Sequence, residues 1–181
     1  KIWLMAQGKD IDSMTLKDKL PKSIGHGKVT KPNLKNIYEI KRIFHYMSIK
    51  VAKRLRVHSY ETNTFIIGIK TRDSWFSEKY KLSQHTNHDK DIFKLCLKLI
   101  DNFIRQRYGV YQVQVTAINL EKINNQRDLF FNNQEDKNNI DNMIDSINNK
   151  FGELMLRPAR LSSEFESPDV ISPSWRPKGC K

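Results

Sequence analysis

Two amphipathic helical stripes, flanked and separated by alternating runs, leave this chain few ways to fold. Over residues 36–58 the apolar residues Ile37, Ile40, Phe44, Met47, Val51 and Leu55 recur at three- and four-residue steps, the spacing that lines one side of a helix. A second stripe over residues 89–108 carries Ile92, Leu95, Cys96, Leu99 and Phe103. Between them, residues 62–70 alternate Thr64, Ile66, Gly68 and Lys70 against Phe65, Ile67 and Ile69, and residues 75–83 set Tyr80 and Leu82 against Lys79, Lys81 and Ser83. Residues 111–120 place Val113, Val115 and Ala117 opposite Gln112, Gln114 and Thr116. A period of two with one apolar side belongs to a half-buried strand. With a basic strand over residues 22–30 in front, the order is strand, helix, strand, strand, helix, strand. Both helices need an apolar surface to cover. The expected fold is therefore α+β: a four-stranded sheet with two helices on one face (β-α-β-β-α-β), plus an irregular C-terminal tail with one short helix.

Local signals set the boundaries. Pro32 discourages an earlier start to the first helix, and Asn33 or Asn36 can cap it. Gly109 is placed to end the second. From Asn124 the composition turns Asn-rich. Ile140, Met143, Ile144 and Ile147 suggest the short helix, ending near Gly152, and Pro158, Pro168, Pro173 and Pro177 argue for irregular chain around it. The expected division is 1–21 as a helical end and linker, 22–123 as the folded domain and 124–181 as the tail.

Charge narrows the partners. The formal +12 is uneven: residues 1–60 carry 14 Lys and Arg against 4 Asp and Glu, residues 61–123 carry 10 against 7, and residues 124–181 carry 8 against 9. A net positive field over the first two thirds attracts polyanions, with nucleic acid the commonest partner for such a domain and an anionic membrane its rival. The basic residues of the first helix, Lys41, Arg42, Lys50, Lys53, Arg54 and Arg56, read as a solvated face. No apolar run reaches the roughly 18 residues of a membrane span, so no membrane partner and a cytoplasmic location are expected. Cys96 reads as core and Cys180 lies near the terminus, which gives neither a disulfide framework nor a zinc site. His85 and His88 read as residues of a polar loop.

The basic first strand, Lys22-Ser23-Ile24-Gly25-His26-Gly27-Lys28-Val29-Thr30, is interrupted by glycines. Glycine in a strand is costly enough that a bulge or a close backbone approach is its usual reason. Small residues there would let the backbone come near a negatively charged group.

These residues carry a family resemblance. Lys22-Ser23-Ile24-Gly25-His26-Gly27 resembles the K-S-I-G-H stretch that leads into the little finger domain of Y-family translesion DNA polymerases of the UmuC and DNA polymerase IV kind. Ile2-Trp3-Leu4 with Gly8, Ile11 and Asp12 is similar to the end of that family's thumb. Val51-Ala52-Lys53-Arg54-Leu55-Arg56 is similar to its V-A-x-R-L-R, and Ile144 to Gly152 to its C-terminal D-x-I-x-x-x-F/Y-G element. The resemblance implies a little finger that grips primer-template duplex DNA during lesion bypass in DNA repair, within the SOS response. It also implies that catalytic carboxylates and their magnesium belong to a palm domain and not to these residues, so no cofactor is expected in this chain and the chain alone should bind without polymerising. Gln126-Arg127-Asp128-Leu129-Phe130 resembles the Q-x-x-L-F peptide by which bacterial polymerases dock to the sliding clamp: Leu129 and Phe130 as apolar anchors, Gln126 at the rim.

The residues expected to meet DNA are Lys22, Ser23, Gly25, His26, Lys28, Thr30, Lys70, Arg72, Lys79, Lys81, Gln112, Gln114 and Thr116. Lysines displace counterions, while amides and hydroxyls donate to phosphate oxygens. The alternative is a freestanding RNA-binding βαββαβ module. Such modules stack bases on exposed aromatics of their central strands, and the open face expected here is Lys and Gln, with Phe65 assigned to the core.

Overall fold

A computed structural model describes residues 2–9, 21–104, 109–123 and 133–162, with residues 104 and 133–138 described by backbone alone. After a short helix α1 (Ile2–Ala6) come β1 (Ser23–Leu34), α2 (Ile37–Val57), β2 (Tyr60–Lys70), β3 (Trp75–Thr86), α3 (Asp89–Ile104), β4 (Val110–Ile118), β5 (Glu121–Lys122) and α4 (Asn133–Phe151), with a 3-10 turn at Ala159–Leu161. The expected α+β arrangement is present, and three strands run longer than their sequence signals.

All sheet pairings are antiparallel, in the order β1-β4-β2-β3. β1 and β2 are thus parallel to one another with β4 between them, and β3 and β4 are parallel with β2 between them. Each helix joins two such strands. β5 prolongs β4 past a kink at Asn119 (φ 54) and pairs with the start of β2.

The core lies between one side of the sheet and the two helices. Phe44, Met47, Val51 and Leu55 of α2 and Ile92, Cys96 and Ile100 of α3 are fully buried against Phe65, Ile67 and Ile69 of β2 and Val113 and Val115 of β4. Truncating one of these large side chains costs about 2–5 kcal/mol. His45 stacks on Phe93 at 4.2 Å between ring centroids, bridging the helices. Burial pushes the Cys96 thiol up to about 12.

Asn36 is the cap of α2, its Oδ1 accepting from the amides of Tyr38 (3.0 Å) and Glu39 (3.4 Å). Asn33 instead adopts φ 60 at the end of β1 and faces Gly109: a Cβ there would sit 1.9 Å from Asn33 Oδ1 and 2.8 Å from its Cα. Gly109 thus serves this backbone approach and does not take the left-handed conformation of a helix stop.

Three sequence expectations change. The C-terminal helix is not short, spanning 19 residues, and Leu161 beyond it is fully buried in the core. His85 and Thr86 belong to β3, which cuts the expected polar loop to Asn87 and His88, and Thr86, Asn87 and His88 are buried. The basic side of α2 is not wholly solvated. Arg56 donates to Asp145 through Nε (2.7 Å) and Nη2 (3.0 Å), and through Nη1 to Asn87 O (2.8 Å) and Asp141 (3.4 Å). His88 Nδ1 lies 2.6 Å from Asp141. Arg54 donates to Gly25 O at 2.8 Å, and Lys50 pairs with Glu153. The acids of α4 and the turn after it bind cations whose partners are too distant in sequence for periodicity to reveal.

Candidate nucleic-acid interface

The sheet side away from α2 and α3 has no helix over it among the described residues. Register fixes what it presents. In strand order β1-β4-β2-β3, one row reads Ser23, Ile118, Thr64, Lys81 and the next Gly25, Thr116, Ile66, Lys79. The third reads Gly27, Gln114, Gly68, Ser77 and the fourth Val29, Gln112, Lys70, Trp75. Strands about 4.8 Å apart and a rise of about 3.3 Å per residue make this face about 14 Å across and about 20 Å long. That is enough to bridge the two phosphate lines beside a groove about 12 Å wide.

The face is graded. Lys70, Lys79 and Lys81, with Arg72 in the β2–β3 turn, hold its β2–β3 side, while β1 contributes Ser23, Gly25, Gly27 and Val29. Among the described residues, these four cations enter no hydrogen bond or ion pair. The turn that carries Arg72 is fixed by Thr71, whose amide and hydroxyl donate to Ser74 O at 2.9 and 3.0 Å. Gln114 donates to Thr116 Oγ1 at 3.0 Å, which orients both along β4.

Of the residues expected to act together, the structure places Ser23, Gly25, Lys70, Lys79, Lys81, Gln112, Gln114 and Thr116 on this face, with exposed Lys22 and Arg72 at its borders. His26, Lys28 and Thr30 alternate to the helix side. His26 meets Tyr46 edge-on at 6.4 Å, and Lys28 Nζ stands 5.3 Å from the same ring. Thr30 Oγ1 donates to Val110 O at 2.9 Å. Burial, then the charges of Arg54, Lys50 and Lys28, brings His26 down to about 4. It is neutral at neutral pH and adds no charge to the basic field. Gln126, Leu129 and Phe130 lie outside the described residues.

The glycines divide. A Cβ on Gly25 would stand 2.7 Å from Thr116 Oγ1, so a neighbouring side chain explains that position without any ligand. Gly27 is exposed, with nothing nearer than Val113 O at 3.6 Å, and remains open to a close approach. Sequence reasoning left the face of Trp75 unassigned; its parity with Lys79 and Lys81 was the available signal. Within these four rows the central strands β4 and β2 carry no aromatic residue, and Phe65 is fully buried.

Among the described residues, no group of three or more His, Cys, Asp and Glu could hold a metal, and no helix is long and apolar enough to cross a membrane. The family model of the impB/mucB/samB family C-terminal domain matches residues 21–129. No curated protein sequence matches the chain significantly. Among solved structures, a Y-family DNA polymerase chimera of Dbh and Dpo4 aligns with TM-score 0.52 and 15% identity over 67% of this chain and 35% of its own. A Dbh ternary complex aligns with TM-score 0.49 and 12% identity over 56% of this chain and 30% of its own. The first likeness shows the fold. The chain spans about a third of the length of these structures.

Proposed function

The chain belongs to the impB/mucB/samB family through its C-terminal domain, the little finger of Y-family DNA polymerases, and from that premise we propose that its open sheet face holds primer-template duplex by the phosphate backbone during lesion bypass. The observation that carries this reading is the set Lys70, Arg72, Lys79 and Lys81, unpaired among the described residues, along one side of a face that carries amides, hydroxyls and glycines beside Val29, Ile66, Ile118 and Trp75. Such a surface neutralises phosphates and donates to their oxygens without reading base edges, as a polymerase that accepts every template requires. Lys22, Ser23, Gly25, Gln112, Gln114 and Thr116 complete the contact surface. His26, Lys28 and Thr30 take part through the β1 edge and not through the face itself.

Nucleotidyl transfer is assigned to the palm of a whole polymerase, with its magnesium. The domain of residues 22–123 supplies grip and register. In sequence, Gln126, Leu129 and Phe130 fall between β5 and α4. This reading makes them the sliding-clamp anchor.

The test is fluorescence anisotropy of the chain on labelled primer-template DNA at two salt concentrations, with single-stranded RNA as competitor. Salt-sensitive duplex binding that RNA barely displaces is expected. Replacing Lys79 and Lys81 by Ala should weaken binding alike across sequences and lower the logarithmic salt slope by about 0.9 per lost phosphate contact. An unchanged slope would put the DNA elsewhere, and preferential RNA binding would overturn the reading.

A further inference from the structure

Trp75 opens β3 on the open face, directly across from Lys70. Its indole lies over Gly68: a Cβ built there would stand 2.6 Å from Cζ2, 3.0 Å from Cε2 and 3.3 Å from Nε1. The ring is therefore backed by strand, while Trp75 remains 44% exposed. Its own row offers Lys70 and Gln112, and Arg72 stands in the adjoining turn.

An indole at the end of a file of lysines does work that the lysines cannot. Bases inside a duplex show the grooves only their edges; a base face is free only where pairing stops. Aromatic rings bind such faces by stacking, with little regard to sequence. Four residues of strand separate Lys79 from Trp75, about 13 Å at the strand rise, or about four nucleotides of duplex rise. A strand whose phosphates follow Lys81 and Lys79 reaches Trp75 a few nucleotides later, with Lys70 and Arg72 beside it for the next phosphates.

We propose that Trp75 is a stacking platform for an unpaired base of the nucleic-acid strand that runs off the duplex held by the sheet. This rests on the duplex-binding reading above.

The test uses the full chain with Trp3→Phe and Trp175→Phe, which leaves Trp75 as its one indole. A blunt duplex and the same duplex with a thymidine overhang are titrated by anisotropy and by indole fluorescence. The overhang should tighten binding about 10-fold and quench Trp75. Trp75→Ala should lose more affinity for the overhang duplex than for the blunt one and so abolish that gain, and Trp75→Phe should keep most of it. Blunt-duplex binding with neither gain nor quenching overturns this inference and leaves the duplex reading standing. Failure to bind either DNA overturns the duplex reading itself. Equal loss on both DNAs in Trp75→Ala, without quenching in the parent, makes Trp75 a cover for Gly68 and also overturns the inference.

Discussion

Arg56 is the residue whose loss should separate the C-terminal helix from the domain. Its side chain is 9% exposed and makes a two-pronged pair with Asp145, a longer contact to Asp141 and a bond to Asn87 O. Apolar packing of α4 is thin by comparison, since Ile140 is 56% and Met143 66% exposed. Removing one partner of a buried pair costs about 3–5 kcal/mol, because the other charge stays buried and uncompensated. Arg56→Ala should therefore shift the local opening equilibrium of α4 by about 100- to 4,000-fold, one decade per 1.4 kcal/mol. α4 is rich in Asn and Asp, poor helix formers, so an undocked α4 frays. Hydrogen exchange reads this directly: amides of residues 139–151 should lose protection while those of β2 and β4 keep theirs. Arg56→Lys should restore less than half of the effect, since an ammonium lacks the planar fork. Exchange in α4 within about threefold of the parent would refute the reasoning and credit the helix to Ile144 and Ile147; equal loss across the sheet would make Arg56 part of the global core.

Gly109→Ala should cost about 1–3 kcal/mol, because the new Cβ meets Asn33 backbone, whereas Gly27→Ala should be neutral or slightly stabilising; urea unfolding that ranks them equally would mean Asn33 yields. His26 is neutral down to about 4 in the folded chain, but its unfolded counterpart takes a proton near 6.5. Stability from this group is therefore present at neutral pH and lost as pH falls from about 6.5 to about 4; His26→Gln should flatten that fall in thermal melts, and an unchanged pH profile would count against the shift. Replacing Leu129 and Phe130 together by Ala should abolish sliding-clamp binding in a pull-down while leaving duplex affinity unchanged, and loss of both or of neither would remove the clamp assignment.

Much of the fold was legible because it is written in local period. The α2 and α3 stripes bury the residues their spacing selects, and the alternation in β2 puts Phe65, Ile67 and Ile69 inward. Faces were legible for the same reason: once Phe65 is core, Lys70, Gln112 and Lys79 must share the other side. What the sequence hid were pairings between distant residues. Gly25 looked like a concession to a ligand until Thr116, brought alongside by register, filled its place. His88 looked like loop until Asp141, 53 residues on, turned it into an anchor. His26 and Lys28 were grouped with Gly25 by motif, although one residue of offset sends them to the opposite side of the sheet.

The same long-range pairing changes what the net charge means. By segment, the excess of cations over acids is greatest in residues 1–60, which hold β1 and α2. In the folded chain Lys50, Arg54 and Arg56 are each bound internally, to Glu153, to Gly25 O and to Asp141 with Asp145, and His26 is held neutral. The near-neutral C-terminal third is thus not a bystander, since its acids pair with Lys50 and Arg56 of α2. An approaching polyanion feels mainly charges not already satisfied, because those paired within the protein release no counterions from it. Lys70, Arg72, Lys79 and Lys81, unengaged among the described residues, come from a segment with the smaller net charge, yet they stand together on or beside one sheet face. Placement, more than the total of +12, therefore decides where a nucleic acid would lie.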